Sequence, residues 1–378
     1  GFAAGIPRFG IDENAATPYM YQYNLTWEQR VGRDSTVEVG WVGSQGRDLL
    51  RPRDPNIVPL QADVDNNGVN DRLDFVRCDG SDVACRSQYR QYGLFGDVNQ
   101  TIWTMDGESD YNSLQAQYIL RFGRGSQFQT SYTWAWEFDA NASMRDSSGG
   151  IQNGSSVTDS FRPGLDNSTA DMYREHVLNG SVIYNLPTFA GEGGVKEWLM
   201  GNWAVGGIFI YSSGQPLSVY APNPSGDLNG VHPAEIGYPD NTRPLTTGVS
   251  CSGSGDLGVL NPAAYTLTGF RLGDNSQMMN RSECEGPDFF SVDLSIYKNF
   301  PFANRFNAQI RFEVFNLFNT VNLQADGVDT AFNVPVTLDA PRDQAPVVTS
   351  SGAPASPFGL ATAARDARQI QLGVKFSF

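Results

Sequence analysis

Nine stretches of this chain put an apolar residue at every second position, and a period of two is the spacing of a strand with one greasy face. The last, RQIQLGVKFSF at Arg368 to Phe378, sets Ile370, Leu372, Val374, Phe376 and Phe378 against Gln369, Gln371, Gly373, Lys375 and Ser377. Near the start, Tyr19, Tyr21, Tyr23, Leu25 and Trp27 line one face, and after the turn at Val31 to Asp34 the residues Val37, Val39 and Trp41 repeat it. Leu114, Ala116, Tyr118, Leu120 and Phe122 follow, then Phe128, Thr130, Tyr132, Trp134, Trp136 and Phe138. His176 to Leu186, Trp203 to Tyr211, Phe290 to Asn299 and Phe306 to Phe315 complete the set. A tilted strand needs roughly 9 to 11 residues to cross a bilayer, and these segments have about that length.

The connections alternate as well. Short joins at 30–35, 123–125, 187–202 and 300–305 take turns with long polar ones at 45–110, 139–175, 212–288 and 316–368. Tight turns on one side and large loops on the other are the pattern of outer-membrane barrels, and a soluble sandwich rarely carries four such loops at one end. Trp27, Trp41, Trp134, Trp136 and Trp203 fall close to strand ends, where an aromatic girdle would meet lipid headgroups. The sequence therefore predicts an all-β, antiparallel transmembrane barrel across residues 1–378, in the bacterial outer membrane, with loops 46–110 and 212–288 extracellular. The high content of glycine (40 residues) and of aromatics (12%) suits strands and turns. A net charge of −15 argues against nucleic acid as a partner, since acidic groups outweigh the cations that would neutralise phosphates. The opening GFAAGIPRFG lacks the basic and apolar regions of a signal peptide.

Three groups of residues invite chemistry. DVDNNGVNDRLD, Asp63 to Asp74, fits a twelve-residue calcium loop, with Asp63, Asp65, Asn67, the carbonyl of Val69, Asp71 and Asp74 as ligands and Gly68 at the sharp turn. Asp replaces the usual Glu at the twelfth position, as in dockerin-like loops; an acidic, solvated loop is the plain alternative. Cys78 with Cys85 and Cys251 with Cys284 each share one long loop, so local disulfides are the simplest of the three pairings in an oxidising compartment. Zinc would want closer spacing or a nearby histidine. Glu38, Glu137, Asp293, Arg311 and Glu313 alternate onto the inward faces, where they could line a substrate path or merely wet a lumen. NPAAYTLTGF, Asn261 to Phe270, could stack on sugars or peptides, and ordinary surface-loop composition explains it equally well. With His176 and His232 as the sole histidines and no nucleophile motif around either, no enzyme is expected.

Three blocks carry a family resemblance: Thr17 to Asn56, RFEVFNLFNTVNL at Arg311 to Leu323, and DARQIQLGVKFSF at the end. Together they resemble the C-terminal barrel portion of TonB-dependent outer-membrane receptors, in the Oar-like branch. The resemblance implies a receptor or transporter whose barrel wall and surface loops capture ligand, driven by TonB through a plug domain that this chain does not contain. It also implies that the closing strand, with Phe376 and Phe378, is the signal read by the barrel-assembly machinery. Such barrels have about 22 strands, so the nine found here would be the C-terminal part, completed by a preceding segment or another chain. Parity agrees, because nine strands counted back from the C-terminus put Thr17 on the long-loop side, whereas closed bacterial barrels have an even number. The rival reading is a calcium-stapled surface adhesion protein whose loops bind a partner and transport little.

Overall fold

In the computed structural model the described residues are 9–53, 55–59, 78, 82–96, 100–123, 125–140, 161–187, 195–221, 243–270, 277–302, 306–339, 347–355 and 357–377. Nine long strands form one antiparallel meander: β1 (Tyr19–Val31), β2 (Ser35–Arg53), β3 (Thr101–Phe122), β4 (Ser126–Ala140), β5 (His176–Asn185), β6 (Trp203–Ser212), β7 (Phe289–Phe302), β8 (Phe306–Phe315) and β9 (Gln369–Ser377). Each pairs with its neighbours in sequence, so the order in space is the order in the chain. A short strand, Phe9–Ile11, adds parallel to the start of β3. Among the described residues the sheet does not close, and β1 and β9 are its edges.

Register carries the outward face across the sheet without a break. Leu25 lies opposite Trp41, Trp41 opposite Leu114 and Leu114 opposite Trp134. At the other end Ile296 meets Phe312, which meets Leu372. Short turns close the periplasmic side. Gly32 and Gly125 sit there with φ of 67° and 78°, a left-handed backbone that glycine adopts without a Cβ clash. The β2–β3 connection carries a short helix, α1 (Val83–Tyr89), and the β5–β6 join another, α2 (Val195–Met200).

Two boundaries differ from the sequence reading. The β2–β3 hairpin runs on past residue 44 to Arg53 and begins again at Thr101, so both ends of the stretch read as loop 46–110, residues 46–53 and 101–110, are strand. Register shifts at Gly46/Leu49 and Leu49/Leu50 hide it, because they interrupt the two-residue alternation. Arg51, almost fully buried, anchors this extension to Asp106 at 3.0 Å.

On the long-loop side the connections fold together. Leu217, Val219, Leu267, Phe270, Phe332 and Phe358 build a buried cluster drawn from the 212–288 and 316–368 loops. Backbone bonds stitch the two: the Phe332 amide donates to Tyr220, the Val259 amide to Gly359 and the Ala361 amide to Leu257. NPAAYTLTGF is part of this core. Tyr265 and Phe270 are buried and unavailable for stacking on a ligand, because they pack against Leu217, Phe332, Phe358 and the other apolar side chains that the two loops bring together.

RFEVFNLFNTVNL owes its form to backbone geometry. Asn316 and Asn319 follow β8 with positive φ (51° and 54°), where asparagine is among the few side chains tolerated. The Asn322 side chain then imitates a strand, accepting from the Phe290 amide at 2.8 Å and donating to its carbonyl at 2.9 Å.

Candidate functional site

The inward wall carries Glu38, Asp293, Arg311 and Glu313. Glu38 lies opposite Glu28 on one side and Gln117 on the other, so a ladder of polar groups crosses three strands. Ser295 faces Glu313 and Tyr297 faces Arg311 in adjacent rows, and the Arg311 guanidinium donates to the Gln309 side chain. Asp293 is committed locally: its Oδ1 accepts from the Asn316 amide at 2.9 Å and from Ser291 at 3.2 Å. That makes it a cap for the turn after β8 as much as a lumen group.

Glu137 is on the opposite face from the one expected. Ser113 pairs with Ala135 but Asn112 pairs with Glu137, so Trp136 is an extra residue in β4. One inserted residue flips everything beyond it, which turns Glu137 outward and Phe138 inward, where its ring meets Tyr111 edge-on at 5.4 Å. The outward carboxylate is held in a polar net. Asn112 donates to Glu137 Oε2 at 2.6 Å and accepts from both the Trp41 indole and the Tyr23 hydroxyl at 3.2 Å. The Tyr23 ring reaches Asn112 by lying over Gly43, where a Cβ would come within 2.2 Å of it. Tyrosine and tryptophan tips thus find partners toward the extracellular ends of the strands, as an interfacial girdle requires.

The headpiece beyond holds both disulfides as paired in the sequence reading, Cys78 with Cys85 and Cys251 with Cys284. Cys85 lies in helix α1 (Val83–Tyr89), whose N-cap Asp82 accepts from the Cys85 amide at 3.0 Å. A cavity of 190 Å³ opens beside Cys284, lined by Tyr173, Glu175, Glu283 and Glu285 among others. Burial first, then the carboxylates of Glu175, Asp139 and Glu285, push the Tyr173 phenol up, so it stays neutral and donates to the Ala135 carbonyl at 2.7 Å. The calcium candidates Asp63, Asp65, Asn67, Val69, Asp71 and Asp74 lie outside the described residues, as does Phe378. Among the described residues no group of three His, Cys, Asp or Glu could hold a metal.

Two features escaped the sequence. The Arg243–Asp166 pair joins loops 77 residues apart, and nothing in either loop's local sequence marks it. The net around Asn112 depends on the Trp136 bulge, which a strict alternation cannot reveal.

The sequence matches the outer membrane beta barrel domain family over residues 2–371. The chain belongs to that family. This outer-membrane β-barrel is accordingly an antiparallel membrane protein of the bacterial outer membrane, and its sheet is a stretch of barrel wall. No curated protein matches it. Among solved structures it is similar to the outer membrane transporter YddB from Escherichia coli, with 8% identity and a TM-score of 0.44 over 96% of this chain. The chain spans only 33% of that transporter's length.

Proposed function

We propose that this outer-membrane β-barrel is part of the wall of a TonB-dependent transporter of the Oar-like branch, with a headpiece that captures ligand. The observation that supports it most directly is the two-sidedness of the meander. Apolar rows run outward across all nine strands, while Glu38, Arg311 and Glu313 keep the other face wet and charged. A wall polar inside and greasy outside encloses an aqueous path. The open edges at β1 and β9 require further strands, since unpaired amides and carbonyls in hydrocarbon cost several kcal/mol each. Energy would arrive from TonB through a plug domain. The full gene product in outer-membrane vesicles is expected to retain the purified periplasmic domain of TonB. Absence of binding by a correctly assembled receptor would sink the transport reading and favour a surface adhesion role, to which the folded headpiece is equally suited.

The Asp63 to Asp74 loop is proposed to bind calcium, because its ligand types at those spacings can supply six of the oxygens the ion prefers. Calorimetric titration of the full receptor should show a calcium site that Asp63→Ala and Asp65→Ala each remove. An unchanged isotherm in both variants would exclude this loop.

A further inference from the structure

Helix α2 sits where a periplasmic turn would ordinarily be a few polar residues. Trp198, Leu199 and Met200, which end it, are 57%, 53% and 55% exposed, a run of three large apolar residues with no protein fully covering it among the described residues. The helix is nevertheless fixed to the barrel. Trp203, the first residue of β6, donates its indole N–H to the Leu199 carbonyl at 3.0 Å. The Lys298 ammonium donates to the Gly201 carbonyl just past the helix, and is itself buried, lying 5.3 Å from the Trp203 ring centre and 4.9 Å from that of Phe300. Trp198 packs on Phe300 with ring centres 5.1 Å apart.

All of these anchors belong to one face. Lys298 lies opposite both Trp203 and Ile310, and Phe300 opposite Ala308, in the rows that continue to Val374 and Phe376. That is the outward face. A soluble turn would bury Trp198, Leu199 and Met200; here α2 is strapped to the outer wall at its periplasmic rim, with Trp198 resting on Phe300 and all three side chains still more than half exposed. A lysine kept at the rim with its ammonium on a terminal carbonyl suits a boundary between hydrocarbon and water.

We infer that α2 is an interfacial helix that inserts Trp198, Leu199 and Met200 into the headgroup region of the inner leaflet, and so fixes the depth and tilt of this part of the wall. The occupant is phospholipid, argued from the continuity of this patch with the lipid-facing rows. The inference rests on the barrel reading but not on transport, so loss of TonB binding would leave it standing.

The four cysteines of this chain are paired, so with any free cysteine elsewhere in the receptor replaced by serine an introduced thiol can be labelled alone. Leu199→Cys in the full receptor, reconstituted in phosphatidylethanolamine and phosphatidylglycerol vesicles, would carry a nitroxide, with Arg33→Cys on a polar periplasmic turn as reference. Expected is high collision with oxygen and several-fold lower collision with a water-soluble nickel chelate at position 199, and the reverse at 33. Equal nickel access at both positions overturns the inference. Low access to both reagents at 199 would mean that a protein covers the helix, and overturns it too. As an independent measure, wild type minus Trp198→Phe should give a fluorescence component quenched more by lipids brominated high in the acyl chain than by iodide. A component quenched by iodide alone refutes insertion.

Discussion

Asp166→Ala is expected to loosen the extracellular headpiece by about 3 to 5 kcal/mol, the usual cost of stranding one half of a buried ion pair. Arg243 and Asp166 are 1% and 0% exposed and approach to 3.5 Å. The guanidinium also donates to the Met279 carbonyl at 2.8 Å and the Leu165 carbonyl at 3.0 Å, so it cannot swing out to water when its carboxylate is removed. Because the pair ties the 139–175 connection to the 212–288 connection, the loss should appear as coupled opening of both. Hydrogen exchange on the full receptor reads this directly, with amides in 161–175 and 277–285 expected to exchange about 10²- to 4 × 10³-fold faster. Replacing both partners, Asp166→Ala with Arg243→Met, should recover part of the protection, since the Arg243 charge is then gone, while the neighbouring Arg281 keeps Asp171 within its field. Unchanged exchange in the single variant would mean that the pair does not hold the loops together.

Leu372→Arg should destabilise the refolded barrel by about 2 to 4 kcal/mol, the penalty of a cation near the bilayer midplane. Leu372 is the most exposed large apolar residue of β9, at 76%, and stands opposite Phe312 midway along the strand. Phe376 stands opposite Ala308, next to the periplasmic rim, so Phe376→Arg should cost only about 0 to 1 kcal/mol. Urea titration of the full receptor in lipid vesicles gives both values. A neutral Leu372→Arg would show that this row does not see hydrocarbon. The same pair separates stability from assembly: if the closing strand is the assembly signal that its family resemblance implies, Phe376→Arg will lower outer-membrane yield in cells far more than its small effect on the refolded barrel accounts for.

Period-two alternation is a local property, and it was enough to locate nine strands, to assign Ile370, Leu372, Val374 and Phe376 to one face, and to place the short and long connections on opposite sides. The disulfides were legible for a related reason: cysteines 7 and 33 residues apart within one loop meet at little entropic cost. What tertiary structure alone decided are the departures from period. Whether Glu137 faces lumen or lipid depends on one extra residue, Trp136, and that residue is extra only relative to β3, the strand it pairs with. The hairpin's extension to Arg53 and Thr101 likewise depends on a partner strand absorbing two register shifts. The Arg243–Asp166 contact needs both loops folded before either charge can leave water. No stretch of sequence contains its own neighbour, so pairing, bulges and buried charges between loops emerge only when the chain has closed on itself.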